Sequence, residues 1–482
     1  MSYFFGVDFG TTNSAIHVIS AIGDKIDDEF DIGEDDKRPL PSYVAIHKET
    51  GDIVTGLDAK NTISDESEYY IFSSIKSIIG EERTWKIAGK DWTAIDIASE
   101  LFKELKKKAE NSTNDILSQA VVAVPVGFSS KKKNNIRKAA LKAGIKITMF
   151  VSEPTAAYCS KIESLHRFHN VAVFDWGGGT LDVIVLRVEN NIIYEIESAG
   201  LNLAGNDIDR ILAERVCMNA SRKTGNNFTI EDLSPRVQLR ILQKCEQAKC
   251  NLADEDIVTI MDANLDGFGM LMEKIDYSYF SLLIENQVNQ AVECLMNVLS
   301  KAGMNAESID CILCEGGSSR LRPLQEKLLT IFDRDKLIFP RKAMWDIATG
   351  AANISYQPGC YRLNKSIGLI LSDNRFYPLL KVGQRVPTEE KTVTLGIVDK
   401  GEEARFVFAE GDENHYDVLE VFPIKTRGFS DEVLTVSCYI DADIVFRLKV
   451  RSNRMPDDYF RVWTYSNLKV SYELEAPEPM TR

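Results

Sequence analysis

The sequence predicts a two-lobed α/β domain followed by a small all-β domain of the sandwich kind. Three observations carry this. Up to about Ala352, apolar strand-like runs alternate with amphipathic helical stretches. Two segments in that region repeat one pattern, which implies two similar subdomains facing each other. After Tyr356-Gln-Pro-Gly the apolar residues recur with period two, and turn clusters such as EGDEN separate the runs. A chain of 482 residues has room for this, at roughly 100 to 200 residues per domain.

The repeated pattern comes first in the chain. YFFGVDFGTTNSAIHVI near the start and NVAVFDWGGGTLDVIVL from Asn170 each read as apolar strand, Asp-aromatic-Gly, Gly/Thr-rich turn and second apolar strand. Asp8 matches Asp175, and Gly10 matches Gly177. Either copy alone is no more than a hairpin connection; the duplication and the threonines set the pair apart. AVVAVPV, from Ala120 to Val126, is a short uncharged run of the buried-strand type. From Ser234 the pattern gives an N-cap, Pro235 at the first helical position, and Val237, Ile241, Cys245, Ala248 and Leu252 on one face. A second helix is expected from about Tyr277 through Leu282, Val288, Val292, Leu295 and Leu299 to a stop at Gly303. RFVFAEG, FRLKV and NLKVSYEL then alternate apolar and polar residues as half-buried strands.

Composition removes several classes of function. Acidic residues exceed basic ones, 72 to 57, for a net charge of −15. That balance opposes a coat on duplex nucleic acid and attraction to anionic membranes. The basic runs Lys106 to Lys108 and Lys131 to Lys133 sit on or lead into expected helices, so they read as solvated faces. No stretch approaches the ~18 apolar residues of a membrane span. MSYFFGVDFG carries no basic segment ahead of its apolar residues, so no secretory signal is expected and the location expected is cytoplasmic. Nine scattered cysteines are a poor disulfide framework. The close pair Cys311 and Cys314 lies in the apolar run IDCILC and reads as buried strand cysteines. The histidines, His166 and His169 included, form no motif.

The glycine-rich turns point to phosphate. Polyphosphate needs donors that approach closely, and glycine supplies backbone N–H groups with no Cβ in the way. Gly10 to Asn13 and Gly177 to Thr180 fit. Magnesium takes hard oxygen ligands and holds phosphates through one or two carboxylates plus water; Asp8, Asp175 and Asp182 are the candidates. Two loops gripping one polyphosphate from opposite subdomains make closure depend on the γ-phosphate, which is what a nucleotide switch requires.

The strings GVDFGTTNS, SIKSIIG, AVVAVP, EPTAAY, FDWGGGTLDV, LAGNDID and CILCEGGSSRL occur in the order found in the seventy-kilodalton heat-shock chaperones. The chain thus resembles this DnaK-type family, which shares the ATPase fold of actin and the sugar kinases. YPLLKVGQRVPTEEKTVTL and LTVSCYIDADIVFRLKV resemble the family's peptide-binding sandwich. The resemblance implies an actin-like ATPase domain over 1–355, a linker over 356–366 and a β-sandwich substrate domain over 367–482. The family continues past its sandwich into a helical lid, and this chain stops at PEPMTR, so a short member without that lid is expected.

The resemblance also implies roles. ATP or ADP and Mg2+ would be the cofactors, with K+ as a further ion. Gly10, Thr11, Thr12, Asn13, Gly177, Gly178, Gly179 and Thr180 would bind phosphate. Asp8, Asp175 and Asp182 would hold magnesium largely through water. Lys76 would position the attacking water, and Glu153, Asp175 and Thr180 would complete the catalytic set. Pro125 matches a proline proposed as a conformational relay. Gly205, Glu246, Lys249, Gly316, Gly317, Ser318 and Arg320 would form the adenosine side. The chain departs there from the family at Cys250, usually arginine, at Ala253, often serine, and at Met344, usually aspartate. Its linker, PGCYRLNKSIGLIL, is more polar than the family's, with Leu363 and Ile367 as the residues placed to act in its stead.

Three functions follow. The first is an ATP-hydrolysing chaperone-like protein that couples nucleotide state to binding of extended peptide, with J-domain and nucleotide-exchange cochaperones implied by the resemblance. The second is a nucleotide-regulated binding protein with one dedicated partner. The third is a small-molecule kinase on the same fold.

Overall fold

Strands β1 (Ser2–Phe9) and β2 (Asn13–Ile22) fold back on each other, with Asp8 opposite Ala15 and Phe9 opposite Ser14, so the turn between them is Gly10 to Thr12. Every residue of β2 from Ser14 to Ala21 is buried, as a strand covered on both faces requires. Two polar side chains among them have partners: His17 Nδ1 lies 2.7 Å from Asp31, and Ser14 bonds Ser42 at 2.9 Å. Strand β3 (Lys25–Ile32) pairs on the outer side of β2, and β4 (Gln119–Val124) and β5 (Lys146–Ser152) run parallel to β1, giving the order β5-β4-β1-β2-β3. Helix α1 (Ala94–Thr113) covers this sheet. It starts at a capping box in which Thr93 and Asp96 exchange bonds, and it buries Ile97, Leu101, Phe102 and Leu105. Phe102 stacks on Phe9 with ring centres 4.6 Å apart. Helix α2 (Ser130–Lys142) leads into β5, and α3 (Glu153–Ser160) follows it, capped by Ser152 with Pro154 in the first turn.

The second sheet repeats the scheme. Strands β6 (Asn170–Trp176) and β7 (Leu181–Glu189) flank the second Gly/Thr turn, and β8 (Ile192–Leu201) returns beside β7. Helices α4 (Gly205–Thr224) and α5 (Pro235–Asn251) come next. The Ser234 hydroxyl caps α5 by accepting the Val237 N–H, and the expected apolar face is buried. Strands β9 (Ile257–Asp262) and β10 (Leu271–Asp276) form a separate hairpin. The helix expected from Tyr277 is two helices, Tyr277–Leu283 and α6 (Glu285–Lys301), because Ile284 leaves helical geometry at φ −104°, ψ 7°. Leu282 consequently points outward, 71% exposed, while Val288, Val292, Leu295 and Leu299 are buried.

Strand β11 (Cys311–Glu315) runs parallel to β6 with Asp175 beside Glu315, and β12 (Leu337–Ile338) runs parallel to β11. All of β11 is buried, Cys311 and Cys314 included. Helix α7 (Ala343–Tyr356) then lies on β1 and crosses α3 closely. A Cβ on Gly350 would sit 1.7 Å from the Ala156 carbonyl oxygen.

The structure is a computed structural model that describes residues 1–35, 37–63, 68–340, 343–357, 359–397, 401–442, 444–466, 468 and 470–474. It divides into two units, one of residues 1–186 with 197–356, the other of 187–196 with 357–482. In the second, all described elements are strands. Strands β13 (Tyr361–Leu363), β14 (Ser366–Ile370), β15 (Phe376–Leu380), β16 (Lys391–Gly396), β17 (Glu403–Gly411) and β18 (Tyr416–Lys425) come first. Then follow β19 (Val433–Ile440), β20 (Phe446–Ser452), β21 (Arg461–Tyr465) and β22 (Val470–Glu473). Two antiparallel sheets, β15-β14-β17-β18 and β16-β19-β20-β21, make the sandwich. Phe408 packs between them, 4.5 Å from Trp463 and 6.1 Å from Phe446 by ring centres.

Two expectations need correction here. The VSYE part of NLKVSYEL does not belong to the sandwich, and Tyr361 to Leu363, expected as linker, form a strand. Strand β22 pairs with β13 on one side and with Ile192 to Tyr194 on the other. The physical reason is aromatic burial: Tyr361 and Tyr472 are buried with ring centres 4.7 Å apart, and the Tyr472 hydroxyl bonds Glu195 at 2.9 Å. The PEPMTR segment lies outside the described residues.

Candidate functional site

The two Gly/Thr turns meet. A Cβ on Gly178 would lie 2.1 Å from Thr12 Oγ1, and one on Gly179 would lie 2.5 Å from Thr11 Oγ1. Only glycine lets the loops approach so closely. Gly10 is needed for its own turn, since a Cβ there would lie 1.9 Å from the Asn13 carbonyl oxygen. Ser42 braces the first loop by donating its hydroxyl to the Gly10 carbonyl at 2.8 Å and its N–H to the Thr12 carbonyl at 2.8 Å. Ser318 and Gly205 brace the second: the Ser318 hydroxyl and the Gly205 N–H donate to the Gly177 carbonyl at 2.8 and 3.0 Å.

Between the loops is a cavity of about 250 Å3. Asp8, Gly10 to Asn13, Lys76, Glu153, Asp175, Gly177 to Thr180, Gly316, Gly317 and Arg320 all line it. These are sequence-predicted residues drawn from five separate stretches of the chain. Lys76, on the short helix Ile75–Ile78, is buried rather than solvated and bonds the Glu153 carboxylate at the start of α3.

Electrostatics explains what the cavity wants. Glu153, Asp175 and Asp182 are buried and Asp8 is half-buried, with Lys76 the cation among them. Burial, then Glu153, raises Asp8 to about 7, against the pull of Lys76. Burial and Glu153 also raise Asp182 to about 7, although the Thr180 hydroxyl and the Val126 N–H at 2.7 Å favour its ionised form. Asp175 is pushed up by burial and by Glu153, Asp182 and Asp8. Burial works against the Lys76 ammonium, but Glu153, Asp8 and Asp182 outweigh it and its pKa rises. An excess of buried carboxylate over cation is relieved by a divalent metal. One Asp182 oxygen is buried with no hydrogen-bond partner. Among the described residues no three carboxylates or imidazoles converge closely enough to hold one ion directly. The donor set therefore fits a magnesium ion held mostly through its own water, the form this hard, slowly dehydrating ion prefers.

The residues expected on the adenosine side are only partly brought together. Lys249 does not face the main cavity: its ammonium bonds the Asp209 carboxylate at 2.7 Å and the Gly205 carbonyl at 3.0 Å. Asp209 is raised to about 6 by burial despite Lys249. Glu246 lines an adjoining cavity of about 130 Å3 and meets Lys60 at 3.4 Å. Ser318 and Gly205 pack behind the second loop, and Asp182 lines a further cavity beyond it. Met344 and Ile347 of α7 complete the main cavity's apolar wall.

The sequence reading missed Ser42, Asp209 and a buried acid pair. Glu315 and Asp346 are 0% and 4% exposed, and Lys161 reaches Asp346 at 2.7 Å. Burial, then Asp346 and Asp175, holds Glu315 well above the usual carboxylate range. A signal for the pair existed: a glutamate closes the apolar strand CILCE.

Residues 81–355 match the family model described as Hsp70 protein. The chain is 30% identical over 360 residues to the chaperone protein DnaK of Thermosipho africanus, covering 73% of this chain and 58% of the relative. It is 29% identical over 389 residues to chaperone protein DnaK 3 of a Synechococcus species, covering 73% and 57%. The chain thus spans less than two thirds of the length of these relatives. With a family model over more than half its length and the paired Gly/Thr loops in place, the chain belongs to the Hsp70 family, with that family's actin-like ATPase domain followed by a β-rich region.

Proposed function

We propose that the protein is an ATP-dependent, chaperone-like member of this family, which hydrolyses ATP to ADP and couples nucleotide state to the binding of extended peptide. The observation that carries the reading is the convergence of both Gly/Thr loops, Lys76 and the carboxylate cluster on one cavity. Thr11, Thr12, Asn13 and Gly177 to Thr180 cradle the phosphates. Magnesium, when bound, neutralises phosphate charge next to Asp8, Asp175 and Asp182. Lys76 gives one N–H to Glu153 and keeps two donors for the attacking water and the γ-phosphate. Rate enhancement then comes from positioning and charge neutralisation. Residues 1–355 serve as the ATPase and 367–482 as the peptide-binding region, which clasps a strand through backbone bonds and a side-chain pocket. Cytoplasmic residence and J-domain and exchange-factor partners belong to this reading through the chaperones it is similar to. The test is dissociation of a fluorescent peptide from the full-length protein. ATP with magnesium should accelerate release, and release unaffected by nucleotide would overturn the coupling.

A second reading, a nucleotide-regulated protein with one dedicated partner, rests on the adenosine side. Lys249 is engaged by Asp209, Met344 stands in the wall, and Cys250 is exposed at the end of α5. A guanidinium stacked on the base contributes on the order of 0.5 to 2 kcal/mol, so a cysteine there weakens adenine binding about tenfold. ATP is expected to bind with magnesium but more weakly than in typical members, measured by calorimetry. One stoichiometric partner in a pull-down favours this reading; many unrelated unfolded clients favour the first.

A further inference from the structure

The cavity of about 130 Å3 that Glu246 lines has walls from two distant parts of the chain. One wall comes early, from Tyr43, Ser73 and Ser74; the other comes from Asn206 and Asp209 of α4 and from α5. On α5, Leu239, Leu242, Gln243 and Glu246 recur at i, i+3, i+4 and i+7, a second stripe apart from the buried face of Val237, Ile241 and Cys245. Two contacts cross from wall to wall. Lys60 meets Glu246 at 3.4 Å, and the Asn206 amide donates to the Ser74 hydroxyl at 3.3 Å.

Inside, the walls leave polar groups unused. Asp209 is 5% exposed and accepts the Lys249 ammonium through Oδ2, while its Oδ1 is buried with no hydrogen-bond partner. Gln243 Nε2 is likewise buried and unpartnered. A free acceptor and a free donor on one cavity call for a ligand group that does both, and a hydroxyl is such a group. Leu239, Leu242 and the Tyr43 ring give the same space an apolar side, which suits the C–H face of a polyol better than it suits water. The volume is about that of four water molecules, room for a polyol of about three to five carbons. This cavity shares only Thr11 and Thr12 with the main one, and none of Arg320, Met344 and Ile347 at the main cavity's other end lines it. In the nucleotide reading the ribose lies between base and phosphates, so it stays in the main cavity.

We propose that this smaller cavity binds a small polyol, whose hydroxyls donate to Asp209 Oδ1 and accept from Gln243 Nε2, and that the bound polyol holds the two walls together. It goes beyond the chaperone reading, since the ligand is an effector and neither nucleotide nor client, and it rests on that reading only in its consequence. Thr11 and Thr12 belong to both cavities, so walls held together over the polyol also retain the nucleotide. By linkage, ADP and the polyol then raise each other's affinity by the same factor.

The experiment has two arms on the full-length protein. In the first, without nucleotide, ribitol is the probe, and saturation-transfer NMR compares it with pentane-1,5-diol, which has the same carbon chain but lacks the inner hydroxyls. Ribitol should bind with a Kd on the order of millimolar, and the diol should show no transfer. Gln243→Leu keeps the side chain's bulk and removes the donor, so it should weaken ribitol about tenfold or more, with melting temperature and ADP affinity matching the parent. In the second arm, saturating ribitol should slow release of fluorescent ADP about threefold in the parent and not in the variant. No transfer to ribitol at a concentration on the order of tens of millimolar overturns the proposal and leaves the cavity to water, as does equal transfer in parent and variant. Competition between ribitol and ADP would place the nucleotide's own ribose in the cavity and overturns it too, as does ADP release that ribitol leaves unchanged. A protein that binds no ADP counts against the nucleotide reading alone, because the first arm needs none and still decides whether the cavity takes a polyol.

Discussion

Lys76 shows what one side chain adds to a string. Alone, SIKSIIG describes a lysine near the end of a short helix, and such lysines are mostly solvated. The fold puts this one among three buried carboxylates and the half-buried Asp8, where removal leaves Glu153 without its partner. Lys76→Ala is therefore expected to lower single-turnover hydrolysis by about a hundredfold or more while ATP affinity changes only a few-fold. Equal hydrolysis by variant and parent would remove Lys76 from the chemistry. Residues carried by a contiguous motif were legible in this way, because a phosphate loop is local and its glycines are forced by its own turn. Asp209 and Glu315 were not, because their roles depend on Lys249 and Asp346, distant in the chain and joined to them only by packing.

At the scale of elements, α5 was readable because its cap, proline and stripe are all local. What it docks against was not. Its outer face is tied to β9 by Arg240 and Lys244, which bond Asp262 at 2.6 and 2.8 Å. Burial opposes the Asp262 charge, but Arg240, Lys244 and the Asn264 N–H prevail and lower its pKa to about 2. A carboxylate depressed from 3.8 in this way stabilises the fold fully above about pH 4 and loses that contribution as pH falls through about 2. Asp262→Asn should cost on the order of 1 kcal/mol at neutral pH, the partners being partly exposed, and should flatten the stability profile between pH 4 and 2. Urea unfolding across that range measures it. The break at Ile284 was illegible for the opposite reason: the apolar spacing runs through it, and only the backbone turn separates the two helices. Helix α7 gives the sharpest packing test. Gly350→Ala places a methyl against the Ala156 carbonyl, so about 3 kcal/mol of destabilisation is expected, read as a lowered melting temperature.

For the whole molecule, the class of each region could be read from its period, 3.6 with buried runs at first and 2 afterwards. The division into units could not, since it is not a cut at one point: 187–196 belong with 357–482. A chain ended at 356 should keep the paired Gly/Thr loops, but Ile192 to Tyr194 would lose the strand they pair with. Such a fragment is expected to associate through that bare edge, seen as concentration-dependent sedimentation, whereas a fragment that stays monomeric at every concentration would show the edge to be harmless.

The bond from Tyr472 to Glu195 spans 277 residues of sequence. During synthesis the tip of the β7–β8 hairpin leaves the ribosome long before β22 exists. At roughly 5 to 20 residues per second, it waits on the order of 15 to 60 seconds for its partner strand. The second unit therefore cannot be completed until the first has been fully translated, and a pause late in translation leaves an open sheet edge available to other chains.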